Sequence, residues 1–271
     1  MVSGPRKPLP PFPALVYSLT AKQPPASGEI RLKNVIAIIH DRDDAANRCT
    51  RWLHENGYDL RIACPAEGDG IPATDDDTAG IVMFGGRHDV AMKHDLPYLR
   101  DELRFIETAL ARQIPFLGIC LGGQLLAHVL GEDVGLNPNG HAEYGYYDLV
   151  PTPEGQAVFG PGLKVLQSHW HGWYGTPRGA TRLAYTDAFP QQAFRYGRNA
   201  YGIQFHPEAT RATLERWIGR RPAERYSLKG TFPPAQQLAD NLKHDAALAQ
   251  WFDGFLSGWI GPAATIREAA E

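Results

Sequence analysis

The segment "NVIAIIH", residues 34–40, is an unbroken β-branched run with no polar alternation. That is the pattern of a strand buried on both faces, as in a parallel sheet. A helical composition follows in "DDAANRCTRWLHENG" (43–57), where Asp43 or Asp44 can cap the start and Gly57 can stop the helix. "DLRIACPA" and "GIVMFGG" are two more short apolar runs. Leu99, Leu103, Ile106 and Leu110 then fall on one stripe of a helix that Asp95 can cap and Pro97 can enter. "IPFLGI" is the next strand. Strands alternating with helices through right-handed crossovers predict an α/β fold, a mostly parallel doubly wound sheet with helices on both faces.

From residue 142 to 205 the rhythm changes to short strands, "AEYGYYDLV", "LKVLQS", "TRLAYT", "QQAFRY" and "NAYGIQF", separated by turn residues. This reads as a β-rich insertion. Helices return at "TRATLERWIG" and "HDAALAQWFDGFLSGWI", where Leu248, Phe252, Phe255 and Trp259 share a face. Residues 1–30 are rich in Pro, Lys and Ser and read as an extended arm that Phe12, Leu15, Val16 and Tyr17 could anchor. The expected organisation is that arm, one domain over 31–262 and a tail over 263–271.

Composition excludes several function classes. A formal charge of −3 leaves no electrostatic footprint for nucleic acid or an anionic membrane. No run approaches the ~18 apolar residues of a membrane span, and prolines interrupt the N-terminus where a signal sequence would need an apolar core. Cys49, Cys64 and Cys120 form no C-x-x-C pair, and an odd count makes a poor disulfide framework. A cytoplasmic protein is expected.

One of those cysteines stands in "PFLGICLGGQLLAHVLG" (115–131), where an apolar strand pattern gives way to a helical one. Active groups gather at the carboxyl ends of strands in such sheets. A side chain in a sharp strand-to-helix turn is held exposed above the sheet, and crowding there accounts for Gly118, Gly122 and Gly123. Cys120 is thus the cysteine counterpart of a nucleophile elbow. The following helix end favours negative charge on its sulfur, and the Leu121 N–H can receive an oxyanion. A glycine-rich turn can also cradle phosphate, but no Gly-Lys-Ser/Thr follows. In "YGIQFHPEAT" (201–210), a strand ends near His206, and extended backbone before Pro207 puts His206 and Glu208 on one side. A carboxylate beside an imidazole fixes its tautomer and supports its positive form.

"GICLGGQ" followed by "YGIQFHPE" resembles the class I glutamine amidotransferase family, over roughly residues 34–210, and most resembles free-standing members with a GMP-synthase-type amidotransferase domain. "FGG" (84–86), "EYGYYDLVPT" (143–152) and "QQAFRYG" (191–197) stand where similar proteins carry related segments. The resemblance implies a flavodoxin-like α/β fold and a Cys120–His206–Glu208 triad. It also implies an oxyanion hole from the Gly86 and Leu121 N–H groups, and substrate contacts from Gly85, Gln124 and either His169 or His171. It implies no cofactor and no metal; a zinc shared by His169, His171 and His141 lacks an obvious completing ligand. Two departures stand out. Arg87-His88-Asp89 replaces a Pro-Met-Ser common among relatives, and "QSHWHGWYGTP" (167–177) lacks the acidic residue of a Ser-His-Gly-Asp or Trp-His-Gly-Asp motif in either register.

The implied activity is hydrolysis of glutamine to glutamate and ammonia for transfer to an acceptor. With no P-loop and no Ser-Gly-Gly-x-Asp-Ser stretch, a synthase would be a separate chain. Two alternatives are a γ-glutamyl peptidase or amide hydrolase working without a synthase, and a silent binding or regulatory module.

Overall fold

The computed structural model describes residues 32–263; the arm read over 1–30 and all but the first residue of the tail lie outside it. The buried run Asn34–Ile38 is β1, flanked in one sheet by β2 (Asp59–Ala63) and β3 (Thr78–Met83), both parallel to it. Next to β3 lies β4 (Phe116–Ile119), again parallel. Helix α1 (Arg48–Glu55) makes the first crossover, α2 (Pro97–Ala111) follows β3, and α3 (Leu121–Val129) leaves β4 directly.

The β-rich insertion divides its strands among three sheets. Two small antiparallel ribbons pair β5 (Val134–Leu136) with β9 (His171–Trp173) and β6 (Glu143–Asp148) with β8 (Lys164–His169). The other strands extend the main sheet: β7 (Val150–Pro151), β10 (Ala180–Tyr185), β11 (Ala193–Tyr196) and β12 (Ala200–Ile203). The eight-stranded order is β2-β1-β3-β4-β12-β11-β10-β7, with β12 parallel to β4 and the last three pairings antiparallel. This is the mostly parallel α/β sheet that the strand-and-helix alternation implies. Short α4 (Gln156–Phe159) precedes β8, and α5 (Arg211–Arg220) and α6 (Pro234–Trp259) close the C-terminal side.

Local chemistry corrects three boundaries. Asp43 and Asp44 lie in a separate short turn, and Asn47 caps α1, its side chain accepting from the Thr50 N–H in a reciprocal capping box. Asp95 does not cap α2: Leu96 occupies that position without a side-chain bond, and Pro97 supplies the first-turn residue. Helix α6 begins ten residues before His244, because Pro234 opens it and Gln237 and Asn241 are buried along its first turns. Leu248, Phe252 and Trp259 face the core as expected, joined by Leu256, while Phe255 is only partly buried. Two clusters, one on each face of the sheet's parallel half, form the core. Among the described residues no helix is long and apolar enough to cross a membrane.

Candidate active site

Four adjacent parallel strands, β1, β3, β4 and β12, deliver His40, Gly85–Gly86, Cys120 and His206 to one end of the sheet. β1 and β3 flank the point where strand order reverses, the place where open α/β sheets form crevices. A cavity of about 730 Å³ opens there, with all five of these residues in its wall.

Cys120 caps α3 with φ 51° and ψ −107°, a left-side conformation that a non-glycine residue adopts at a cost of about 1–3 kcal/mol. Its neighbours enforce the turn. A Cβ on Gly122 would lie 2.0 Å from the Met83 carbonyl oxygen, and one on Gly118 would lie 2.4 Å from that of Gly122. The Cys120 N–H donates to the Ile203 carbonyl at 2.8 Å, tying the elbow to β12. Neither the Leu121 nor the Gly86 N–H has an acceptor among the described residues, and Gly86 approaches Leu121 so closely that a Cβ would sit 2.9 Å from its side chain.

His206 reaches the site from the turn after β12, its N–H donating to the Leu166 carbonyl at 2.8 Å. Its Nδ1 lies 2.8 Å from Glu208 Oε1, with both side chains buried. Its ring packs edge-on against Trp217 at 4.7 Å. Nε2 is buried and forms no hydrogen bond of ordinary geometry among the described residues. Gly85 separates it from the cysteine: a Cβ there would come within 2.7 Å of His206 Cε1 and 3.3 Å of Cys120 Cβ. Burial works against a charged imidazole, but the Glu208 carboxylate, and after it the nearby Cys120, outweigh burial and raise His206 to about 10.

Sequence reasoning missed three supports of this arrangement. The first is His40, which donates through Nδ1 to the Gly85 carbonyl at 3.0 Å while Nε2 lies 3.2 Å from Glu102 Oε2. A carbonyl and a carboxylate both accept, so these two bonds together require the doubly protonated imidazolium. Burial opposes that charge, yet Glu102 holds His40 above the usual imidazole range. Gly85 C=O and Gly86 N–H belong to one planar peptide and point in opposite directions. Fixing the carbonyl therefore fixes the N–H. His40 closes the first buried strand run, the same kind of place that singles out Cys120, and Glu102 interrupts the apolar stripe of α2.

The second support is Arg48 at the start of α1. Nη1 donates to the Pro207 and Ala209 carbonyls at 2.5 and 3.0 Å, and Nη2 to Asp245 of α6 at 2.9 Å. It clamps the turn that carries Glu208. Arg48→Met leaves two buried carbonyls without that donor, at about 1–3 kcal/mol each. The expected result is a melting temperature lower by several degrees together with reduced turnover, checked by calorimetry and kinetics on one preparation.

The third support is Asp89. Gln124, His169 and His171, expected at the substrate, do not line the cavity. Gln124 Nε2 donates to the His171 carbonyl and to Gln204 Oε1, both at 3.1 Å. His169 is buried between Glu143 (3.0 Å) and the same His171 carbonyl (2.9 Å). His171 Nδ1 lies 2.8 Å from Asp89, which does line the cavity. An acid thus does stand beside the 167–177 segment, but it comes from the divergent 87–89 segment. Among the described residues no three His, Cys, Asp or Glu side chains form a group able to hold a metal.

Fold and site together define an α/β protein with a cysteine elbow facing a histidine–carboxylate pair. The family model of the class I glutamine amidotransferases matches residues 44–218. The chain is 30% identical to the glutamine amidotransferase-like protein YfeJ of Salmonella typhimurium, over 71% of this chain and 83% of that one. It is 32% identical to a glutamine-hydrolysing GMP synthase subunit of Ignicoccus hospitalis, over 51% and 71% respectively. A solved glutamine amidotransferase from Thermotoga maritima superposes with a TM-score of 0.75 at 27% identity, over 84% of this chain and 97% of that one. One from Methylobacillus flagellatus gives 0.77 at 25% identity, over 89% and 98%. The protein belongs to the class I glutamine amidotransferase family.

Proposed function

We propose that the protein hydrolyses a γ-glutamyl amide through a Cys120 thioester, within a single domain spanning 31–262. The observation that carries this reading is the strained Cys120 elbow beside the His206–Glu208 pair, with two unclaimed N–H groups next to it. Cys120 sulfur attacks the amide carbonyl carbon, and the oxyanion sits on the Gly86 and Leu121 N–H groups. His206 Nε2 then delivers its proton to the leaving nitrogen, the C–N bond breaks and the amine departs. Water, giving a proton to the same Nε2, attacks the thioester; the C–S bond breaks, releasing the γ-carboxylate and restoring the sulfur. Glu208 stays ionised throughout and orients the imidazole. Gly85 keeps the space between sulfur and ring open.

Glutamine is the simplest substrate, with ammonia as the leaving group. Likeness to the GMP synthase subunit of Ignicoccus hospitalis favours passing that ammonia to a separate synthase chain. The unpaired state of all three cysteines favours the cytoplasm as its compartment. The size of the cavity supports a second reading, a γ-glutamyl peptidase or amide hydrolase that needs no synthase. Ammonia and glutamate release from glutamine and from a panel of γ-glutamyl amides tests the proposal, run with purified wild type and Cys120→Ala. No release from any of them by wild-type protein would make the chain a silent binding module.

Thiol reactivity gives an independent check. Burial pushes the Cys49 thiol well up and Cys64 to about 11. Cys49 also lies at a helix start, but Cys120 is the one of the three beside the positively charged His206 imidazole. Iodoacetamide at pH 6 is expected to label Cys120 first, read by peptide mass spectrometry. Equal labelling of all three would contradict the elbow.

A further inference from the structure

We propose that the wall formed by Arg221, Arg225 and Tyr144 is a subsite for a carboxylate on the leaving half of the substrate, so that the enzyme acts on γ-glutamyl peptides or conjugates with an acidic leaving group. This rests on the γ-glutamyl hydrolase reading and specifies its substrate.

The charges of the cavity do not balance. Each of its carboxylates has a partner within the protein: Asp41 with Arg220, Asp44 with Arg216, Asp89 with His171 and Glu208 with His206. Arg221 and Arg225, in the same wall, have no carboxylate partner among the described residues. Arg221 is instead held in place by neutral groups. Its guanidinium lies 4.0 Å from the centre of the Tyr144 ring, Nη2 donates to Ser168 Oγ at 2.8 Å, and Nη1 donates to Tyr226 and Gln237 at 3.3 Å. Arg225 lies 4.0 Å over the Trp170 ring. Aromatic faces and neutral acceptors fix a guanidinium's direction without neutralising it, so its charge, and the N–H groups those acceptors leave over, can meet a carboxylate.

Tyr144 adds a separate observation. It is 1% exposed, and its hydroxyl has no hydrogen-bond partner among the described residues. An unmet buried hydroxyl is costly and awaits an acceptor. Burial keeps this phenol protonated, so it is a donor.

Size and charge together select the ligand. The glutamyl half of a substrate carries one ammonium and one carboxylate, so glutamine brings no net charge to offset Arg221, Arg225 and Arg87, which also lines the cavity without an ion pair among the described residues. A γ-glutamyl amino acid brings one more carboxylate, on the leaving side. The cavity of about 730 Å³ also lies within the ~300–1,000 Å³ of sites that enclose drug-sized ligands, well beyond the needs of one amino acid.

The test compares γ-glutamylglycine with γ-glutamylglycinamide, which differ only in the leaving carboxylate. Wild-type kcat/KM is expected to favour the acid by tenfold or more. In Arg221→Gln and Arg225→Gln that ratio should collapse toward one. Among the described residues the Arg225 side chain rests on the Trp170 ring and makes no hydrogen bond or ion pair, so its variant keeps the test sound if Arg221→Gln misfolds. An equal loss on both substrates would overturn the proposal, because the arginines would then serve the glutamyl carboxylate or the fold. Calorimetric binding of the same pair to Cys120→Ala separates the two layers. Selective binding without wild-type turnover refutes the hydrolase reading and keeps the subsite, whereas turnover without selectivity refutes the subsite.

Discussion

Cys120→Ser is expected to lower turnover on the order of 10⁴-fold or more, the scale seen when the nucleophile of a catalytic unit is removed. A serine hydroxyl at the same strained turn is a far poorer nucleophile than a thiolate, and His206 is arranged to stand as imidazolium beside negative charge. Glu208→Gln keeps an acceptor for Nδ1 but removes the carboxylate that supports the imidazolium. Its loss should be smaller, and its pH profile should shift. The sign follows from the raised His206. Its charged form persists to about pH 10 in the wild type and is lost as pH rises through that value, so without Glu208 the alkaline limb must move to lower pH. The double variant should be little worse than Cys120→Ser alone, because the members of one unit fail together. Steady-state kinetics on the three proteins, with folding confirmed by circular dichroism, decides the matter. Losses that multiply would show that Glu208 and Cys120 work independently.

Much of this site was legible because its chemistry sits in short, ordered motifs at strand ends. The β-branched run at 34–38 and the Gly-bracketed Cys120 identify buried parallel strands and an elbow with no tertiary information. The His206-Pro207-Glu208 spacing is likewise local, and the observed 2.8 Å contact spans only two residues. What the sequence hid is what folding assembles from afar. Glu102 reaches His40 across 62 positions, and Arg48 reaches the Pro207 carbonyl across 159. The acid that meets His171 of 167–177 is Asp89, from a loop that by itself read as an unexplained departure. Gln124 and His169 carry the chemistry of substrate contacts, yet their polar atoms bond within the protein, and His171 pairs through Nδ1 with Asp89. Spacing reports the face a side chain shares; it does not report the partner that takes its last hydrogen bond.

The oxyanion peptide offers the second large effect. Gly86→Pro removes one N–H donor and is expected to lower kcat by ~10²–10³ with a smaller change in KM, since the lost bond forms mainly in the transition state. Bulk must be separated from the lost donor, because any Cβ on Gly86 meets His40 and Leu121 at 2.9 Å. Gly86→Ala brings the same Cβ and keeps the N–H, so the difference between the two variants isolates the donor. The same peptide can be disturbed from behind. Glu102→Gln still accepts from His40 Nε2 but withdraws the charge that keeps His40 protonated, freeing the ring to release its hold on the Gly85 carbonyl at high pH. His40 is raised in the fold, so its contribution to stability is fully present below the ordinary imidazole value of ~6.5 and is lost as pH rises through the raised one. Two readouts should therefore move together. The melting-temperature advantage of wild type over Glu102→Gln should shrink as pH rises, and the variant's kcat should fall away at lower pH than wild type's. A purely structural role for Glu102 would lower stability without moving the kcat profile, and that outcome would detach His40 from the oxyanion peptide.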